Sequence, residues 1–380
     1  MEHYSVIIIG GGSSGLFLSS LLKDSLLIEK NHECGKKLLV TGGGECNITH
    51  DEAPRDLVCH YFEKKNFVST ALYTLPPDEI RKYFSALGVD SFTREDGKVF
   101  PSSRDAHTVR DALLCGGKII TDHAVKSIRK DGDLFVVDDE FSSTYLVIAT
   151  GGTVYPQTGS TGDGYNFLKE FGHSIVPQRN ALCEIKLSED TSRLEGLSVD
   201  NATLKIGKNV KTGPLLFTRK GLSGPVALNL SRFVDGNDEM ILKLCDITAE
   251  EIKGLNGKLK CANALHQLTG LPQRLIDELV PAKDKNIASL TKEDIREIIT
   301  RLTCWRLKGN THGQARLAMV TRGGVSTTEV DSKSMESKLC PGLFIVGECL
   351  DVDGETGGYN LSFAFASSYL VYKKLKSYLS

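Results

Sequence analysis

The sequence predicts an α/β protein built around a doubly wound parallel sheet, interrupted by an inserted domain that is first β-rich and then helical. Three observations carry that expectation. The first thirty residues read as strand, glycine turn, helix and strand. Two later apolar strands, at residues 145–149 and 343–346, run straight into glycines. The long stretch between them has a different texture, with short alternating strands followed by helical periodicity.

Taken in order, residues 4–9 form an apolar run broken only by Ser5, as expected of a parallel strand covered on both faces. Leu18, Leu21 and Leu22 give a short helical stripe, Asp24-Ser25 turns the chain, and residues 26–28 are a second buried strand ending on Glu29. Asp131-Gly132 is a hairpin turn between strands expected at 125–130 and 134–137. The strand at 145–149 meets Gly151-Gly152, and the strand at 343–346 meets Gly347-Glu348. Residues 361–375 are helical, with apolar side chains at 361, 364, 365, 371 and 375.

Within the middle stretch, residues 183–245 carry short strands such as 203–206 and 241–244, and residues 248–307 are mostly helical. Thr291 with Asp294 resembles a capping box ahead of the apolar face of Ile295, Ile298, Ile299 and Leu302. The expected division is one split domain, residues 1–184 with 320–380, and an insertion at 185–319. The β part of that insertion covers about 185–247 and its helical part about 248–310. There is no low-complexity segment and no repeat of fixed period.

Composition is that of an ordinary globular chain: 40% of the 380 residues are hydrophobic and 25% charged. A formal charge of −2 supplies no electrostatic reason for bulk binding of nucleic acid or membrane, so neither is expected as a partner. No signal peptide is expected, because glycines end the first apolar run almost at once. No apolar stretch reaches the roughly 20 residues that span a bilayer. Ten cysteines are scattered with no C-x-x-C pair and no zinc-ligand spacing, so no metal is expected and a reducing, cytoplasmic compartment is.

The chemistry starts at Gly10-Gly11-Gly12-Ser13-Ser14-Gly15, a G-x-G-x-x-G between a strand and a helix. Its first glycine allows the tight turn, the second lets backbone approach a pyrophosphate, and the third lets helix and strand pack closely. Glu29 follows Gly10 by 19 residues, at the end of the next strand, where a carboxylate accepts hydrogen bonds from ribose hydroxyls. Together these features define a Rossmann-like dinucleotide site. They do not by themselves separate NAD from FAD.

Three further motifs do. The run Gly35-Lys36-Lys37-Leu38-Leu39-Val40-Thr41-Gly42-Gly43-Gly44-Glu45-Cys46-Asn47 resembles the G-[RK]-K-L-L-x-[ST]-G-G-G-R-C-N signature of a bacterial flavoprotein family. That family is related to glutathione reductase and includes aminoacetone oxidases and a bile-acid enone reductase. The tail Gly347-Glu348-Cys349-Leu350-Asp351-Val352-Asp353-Gly354-Glu355-Thr356-Gly357-Gly358-Tyr359-Asn360-Leu361 resembles it too. So does Gly323-Gly324-Val325 with Met335-Glu336-Ser337-Lys338. The resemblance covers essentially the whole chain, with Glu45 departing from the usual arginine.

The resemblance implies a glutathione-reductase-type FAD-binding domain holding FAD without a covalent link. FAD is longer than one βαβ unit, so later segments must meet its flavin end. The expected contacts are Gly10, Gly12, Ser13, Ser14, Gly15, Glu29 and Lys30 in the first unit, then Lys37, Thr41, Gly43, Cys46 and Asn47 in the glycine loop. Val125, Thr150 and Gly151 follow, with Gly347 and Glu348 after the last strand and Gly358, Asn360 and Leu361 before the last helix. In related flavoproteins that helix points its N-terminus at the flavin pyrimidine ring, where charge collects on reduction.

Cys46 has no cysteine partner in its loop, which argues against dithiol chemistry. There is no second G-x-G-x-x-G, and Gly159-Ser160-Thr161-Gly162-Asp163-Gly164 reads as a loop. NADH or NADPH is therefore expected as a transient donor docking elsewhere, unless substrate reduces the flavin directly. The expected function is hydride transfer between flavin and a small organic substrate, as an NAD(P)H-fed reductase or an O₂-using amine oxidase. The alternatives are a flavoprotein acting on RNA and a flavin-binding regulator without turnover. Residues 292–322 hold seven Lys or Arg against three Asp or Glu, weak support for RNA, and His312 is a candidate proton donor. No catalytic residue is assigned from the sequence.

Overall fold

The computed structural model describes residues 1–379, with side chains through residue 378. The chain divides into two units, Met1–Arg179 with Met319–Ser380, and Asn180–Ala318.

The first unit is built on β1 (Glu2–Ile9), α1 (Ser13–Leu21), β2 (Ser25–Ile28), β3 (Lys118–Ile120), β4 (Ile128–Asp131), β5 (Leu134–Val137) and β6 (Phe141–Ile148). The sheet runs β3-β2-β1-β6-β5-β4, with the strand Leu343–Ile345 added beside the second half of β6. Strands β3, β2, β1, β6 and Leu343–Ile345 are parallel, whereas β4, β5 and β6 form an antiparallel meander. Val6, Ile7, Ile8, Leu26 and Leu27 are fully buried, which explains their unbroken apolar runs: both faces of the sheet are covered. Each such Leu or Ile contributes about 1.5–3 kcal/mol relative to exposure. The C-terminal helix Tyr359–Leu379 packs on α1, with Phe17 and Phe365 ring centroids 5.0 Å apart and Ser368 Oγ donating to Ser14 O at 2.9 Å.

Strand β4 begins at Ile128, three residues later than the sequence suggests. The backbone N–H groups of Lys126 and Ser127 both donate to Asp138 Oδ1 at 2.8 Å, so they are turned away from the ladder. Val125 consequently lies ahead of the strand, half-buried. Between β2 and β3 the chain adds a small antiparallel sheet of Thr49–His50, Lys98–Pro101 and Ser91–Thr93 with the helices Lys65–Thr74 and Pro77–Ala86, none of which stands out in the sequence.

Among the described residues the second unit contains a closed barrel of six strands. Going round, these are Ile185–Leu187, Gly221–Ser223, Asn209–Thr218, Ser198–Ile206, Asp238–Lys243 and Trp305–Asn310. Two details differ from the sequence reading. A helix, Gly224–Ser231, lies inside the β part, and the strand Trp305–Asn310 returns from the helical part to close the barrel. Leu307 and Gly309 alternate inward on that strand, and a Cβ on Gly309 would stand 2.7 Å from Lys186 O. The helices Ala249–Lys253, Cys261–Thr269, Gln273–Leu279 and Lys292–Thr303 complete the unit. Thr291 and Asp294 make the expected reciprocal capping box, and Ile295, Ile298 and Leu302 are buried beneath it. Among the described residues no helix is long and apolar enough to cross a membrane.

Candidate functional site

The site is assembled at the carboxyl edge of the parallel sheet in the first unit. Gly10 leaves β1 with φ +104°, and a Cβ there would stand 2.6 Å from Ala149 O. A Cβ on Gly15 would come within 1.9 Å of Gly10 O, so α1 rests on the turn only because Gly15 has no side chain. Gly12 is different. Nothing lies within 4 Å of a Cβ built on it, and no side chain caps α1 above it. The first-turn N–H groups, on Ser13 and Ser14 among others, therefore face an open cradle at the positive end of a nine-residue helix.

Glu29 sits beside this cradle and is 8% exposed. Its Oε2 accepts the Gly11 N–H at 2.7 Å, and its Oε1 accepts the Asn31 N–H at 2.8 Å and Asn31 Nδ2 at 2.6 Å. Oε2 keeps a free lone pair for a ribose hydroxyl. Lys30 is turned outward: its Nζ donates to Thr161 Oγ1 and Asp163 Oδ2, both at 2.5 Å, and pins the turn at 159–162 ahead of the helix Asp163–Glu170. Val125 lies ahead of its strand, two residues beyond His123, whose N–H donates to Glu29 O at 3.0 Å, while the Asp122 N–H donates to Asn31 O at 2.9 Å.

The glycine loop is a run of left-handed backbone, with φ of +58°, +72° and +95° at Gly42, Gly43 and Gly44 and +60° at Cys46. The Cys46 N–H closes it on Thr41 O at 3.0 Å. Thr41 donates its hydroxyl proton to Leu38 O at 2.6 Å, so this hydroxyl can only accept from a ligand. A Cβ on Gly43 would meet open space. Cys46 is fully buried, and burial pushes its thiol up to about 12. Asn47 is 8% exposed, yet its Oδ1 has no hydrogen-bond partner and lies 2.9 Å from where a Cβ on Gly358 would be. A buried acceptor without a donor costs about 1–3 kcal/mol, and it marks a place where a ligand N–H or O–H is expected.

The remaining expected contacts close round the same edge. Thr150 Oγ1 lies 3.8 Å from Cys349 Sγ, and Gly151 turns with φ +74° just beyond β6. Gly347, at φ +65°, packs so tightly on Ser14 that a Cβ would stand 2.1 Å from Ser14 Oγ. Glu348 Oε2 pairs with Lys37 Nζ at 2.7 Å, and its Oε1 accepts the Thr321 N–H at 2.8 Å. Each oxygen keeps a lone pair for a ribityl hydroxyl, while Lys37 is engaged as the counter-ion. Asn360 is occupied by the loop before it, accepting the Gly354 N–H at 2.8 Å and donating to Gly354 O at 3.0 Å. Gly358, at φ +96°, delivers the chain to the helix that starts at Tyr359 and carries the half-buried Leu361.

FAD fits these residues on the structure's own terms: an uncapped helix start under an open glycine, a carboxylate beside it, and an unpartnered buried amide oxygen on Asn47. The flavin would add the hydride chemistry, and this chain adds position and electrostatics.

Sequence reasoning missed one cluster in this unit. Glu52, His60, Glu355, His50 and Tyr359 converge, with His60 bonded to both carboxylates and stacked on Tyr359 at 4.0 Å. No local signal joins them, since His60 and Glu355 are 295 positions apart. His312 lies in the other unit, exposed, with its N–H on Asn310 Oδ1 at 3.1 Å. Among the described residues no group of three or more His, Cys, Asp or Glu could hold a metal ion.

Comparison with known proteins places this geometry. The chain is 31% identical to a ribosomal RNA dihydrouridine synthase of Escherichia coli, covering 97% of both chains. It is 29% identical to a 3-dehydro-bile acid delta(4,6)-reductase of Clostridium scindens, covering 96% of this chain and 97% of that one. A solved 3-ketosteroid delta1-dehydrogenase from Sterolibacterium denitrificans shares the fold at 10% identity with a TM-score of 0.50, over 98% of this chain and all of that one. The model of the HI0933-like protein Rossmann domain matches residues 4–374. The chain therefore belongs to the HI0933-like Rossmann-domain family of FAD-binding oxidoreductases.

Proposed function

We propose that this chain saturates a carbon–carbon double bond conjugated to a carbonyl, and that its substrate is a uridine of ribosomal RNA. The reading is carried by what its near-full-length relatives have in common. Dihydrouridine forms when C5=C6 of uracil, conjugated to the C4 carbonyl, takes up a hydride and a proton. A delta(4,6)-reductase saturates bonds conjugated to a 3-oxo group in the same way. Reduced FAD supplies the hydride when bound. NADH or NADPH is the proposed electron source.

Charge distribution supports RNA over a small molecule. The unit Asn180–Ala318 has 21 Lys or Arg against 17 Asp or Glu, a net charge of +4, while the rest of the chain has 25 against 31, a net of −6. The overall −2 that argues against nucleic acid thus hides two oppositely charged units. Lys205, Lys208, Arg219, Lys220, Arg306 and Lys308 are exposed on or beside the barrel strands, where they suit a phosphate backbone. The second reading, a small conjugated ketone, rests on the bile-acid relative.

The test uses FAD-loaded protein with NADH or NADPH and unmodified ribosomal RNA transcripts, digested to nucleosides and assayed for dihydrouridine by mass spectrometry. A 3-oxo-4,6-diene steroid is run in parallel. Dihydrouridine is the expected product. Steroid reduction alone moves the substrate to the second reading, and flavin that reduces neither refutes the reaction.

A further inference from the structure

His60 is held between two carboxylates. Its Nδ1 is 3.1 Å from Glu355 Oε2 and its Nε2 is 3.2 Å from Glu52 Oε2, both in hydrogen-bonding geometry. An ionised carboxylate only accepts, and a neutral imidazole has one N–H and one lone pair. A neutral ring between two carboxylates would therefore leave one contact with lone pair facing lone pair. Both contacts are satisfied only if the three side chains share one more proton. That proton makes the ring an imidazolium, or makes one carboxyl an acid that donates to a neutral ring.

The surroundings favour keeping it there. The Tyr359 ring lies on His60 with centroids 4.0 Å apart and planes at 16°, a face that attracts a cation. Tyr359 also donates its O–H to Glu52 Oε1 at 3.0 Å. Gly357 O only accepts, so His50 Nδ1 donates to it at 3.0 Å, and His50 Nε2, 3.2 Å from that same Glu52 oxygen, is a second ring position to which the shared proton can pass. The Glu355 side chain is 9% exposed, whereas those of His60 and Glu52 are each 25% exposed, so the trio joins a buried carboxyl to solvent. Independently, the unpartnered Asn47 Oδ1 at Gly358 marks the adjoining turn as facing a ligand.

We infer that Glu52, His60 and Glu355 are the proton store of the reaction, holding beside the start of the C-terminal helix the proton that goes to substrate carbon. The inference rests on the proposed reduction of a conjugated double bond. There, a hydride with its electron pair joins the carbon β to the carbonyl, the π pair moves to the carbonyl oxygen, and the α carbon then takes a proton. The trio gives up one proton, is left as a neutral imidazole between two carboxylates, and recovers the proton from water through His60.

The test uses the full chain with FAD bound. Nitrogen NMR of ¹⁵N-histidine protein, assigned by the loss of signal in His60→Gln, reads the ring. Infrared difference spectra against Glu52→Gln and Glu355→Gln read a protonated carboxyl. Chemically reduced wild type and His60→Gln are then mixed with 2-cyclohexenone, which needs a proton at carbon, or with ferricyanide, which does not. The expected result is one extra proton on the trio and enone reduction slowed by about 100-fold in His60→Gln, the scale of general acid catalysis, with ferricyanide reoxidation unchanged. Glu355→Gln should slow the enone reaction in the same direction. Finding neither a doubly protonated ring nor a protonated carboxyl overturns the inference. So does an unchanged ratio of enone to ferricyanide rates in a variant that keeps FAD. A wild type that reduces neither 2-cyclohexenone nor uridine overturns instead the reaction on which the inference stands.

Discussion

Gly12→Ala should leave the fold intact and weaken FAD binding, whereas Gly15→Ala should damage the fold itself. Gly12 has φ −76°, which alanine adopts freely, and a methyl group there meets no atom within 4 Å. Replacing glycine by alanine at such a site gains about 0.4–1 kcal/mol through the unfolded chain. Alanine is also a poorer N-cap by about 1 kcal/mol, so the two effects nearly cancel. The methyl would nevertheless stand in the cradle over the first turn of α1. Overpacking costs about 1–3 kcal/mol, or roughly 5- to 150-fold in the FAD dissociation constant at 1.4 kcal/mol per tenfold. At Gly15 the same methyl would stand 1.9 Å from Gly10 O, and relief requires helix and strand to part. That loss of about 1–3 kcal/mol or more is a large share of a total of roughly 5–15 kcal/mol. Urea unfolding of the apoproteins and FAD titration by fluorescence quenching separate the two. A Gly12→Ala protein that unfolds as early as Gly15→Ala, or that binds FAD like wild type, would refute the reasoning.

Three further outcomes follow from the same contacts. Gly358→Ala should be destabilised and lose FAD, because its φ is +96° and its Cβ would stand 2.6 Å from Thr49 O; a wild-type melting temperature with full flavin would contradict this. Cys46→Ser should retain FAD and its rate of reduction, since burial lifts the Cys46 thiol to about 12, and maleimide should label the exposed Cys59 and Cys115 of the folded protein first, as peptide mapping would show. Burial holds His173 below its ordinary 6.5, so the unfolded chain binds the proton more readily: its contribution to stability is complete above about 6.5 and fades as pH falls below that. Denaturation of wild type and His173→Asn between pH 5 and 8 should therefore converge toward the acid end; a constant gap would show that His173 does not titrate in this way.

Much of the first unit was legible because burial on both faces of a parallel sheet is written as uninterrupted apolar runs, at 6–9, 26–28, 145–149 and 343–346. The glycines were legible for a related reason: close approach and left-handed backbone exclude side chains, and Gly10 and Gly15 carry that constraint at a fixed spacing. Glu29 and the capping box at Thr291 were also readable, since each depends on one short interval of chain. What only the tertiary structure decided depends on partners far apart. Trp305–Asn310 becomes a barrel strand because Asp238–Lys243 and Ile185–Leu187 offer it their edges. Val125 falls outside its strand because a carboxylate at 138 captures the neighbouring N–H groups. Two carboxylates meet His60 from either end of the unit, and an orphaned amide oxygen on Asn47 lies beside Gly358. Hydrogen-bond complementarity of this kind has no period along the chain, so it exists only once the sheet and its last helix have brought the segments together.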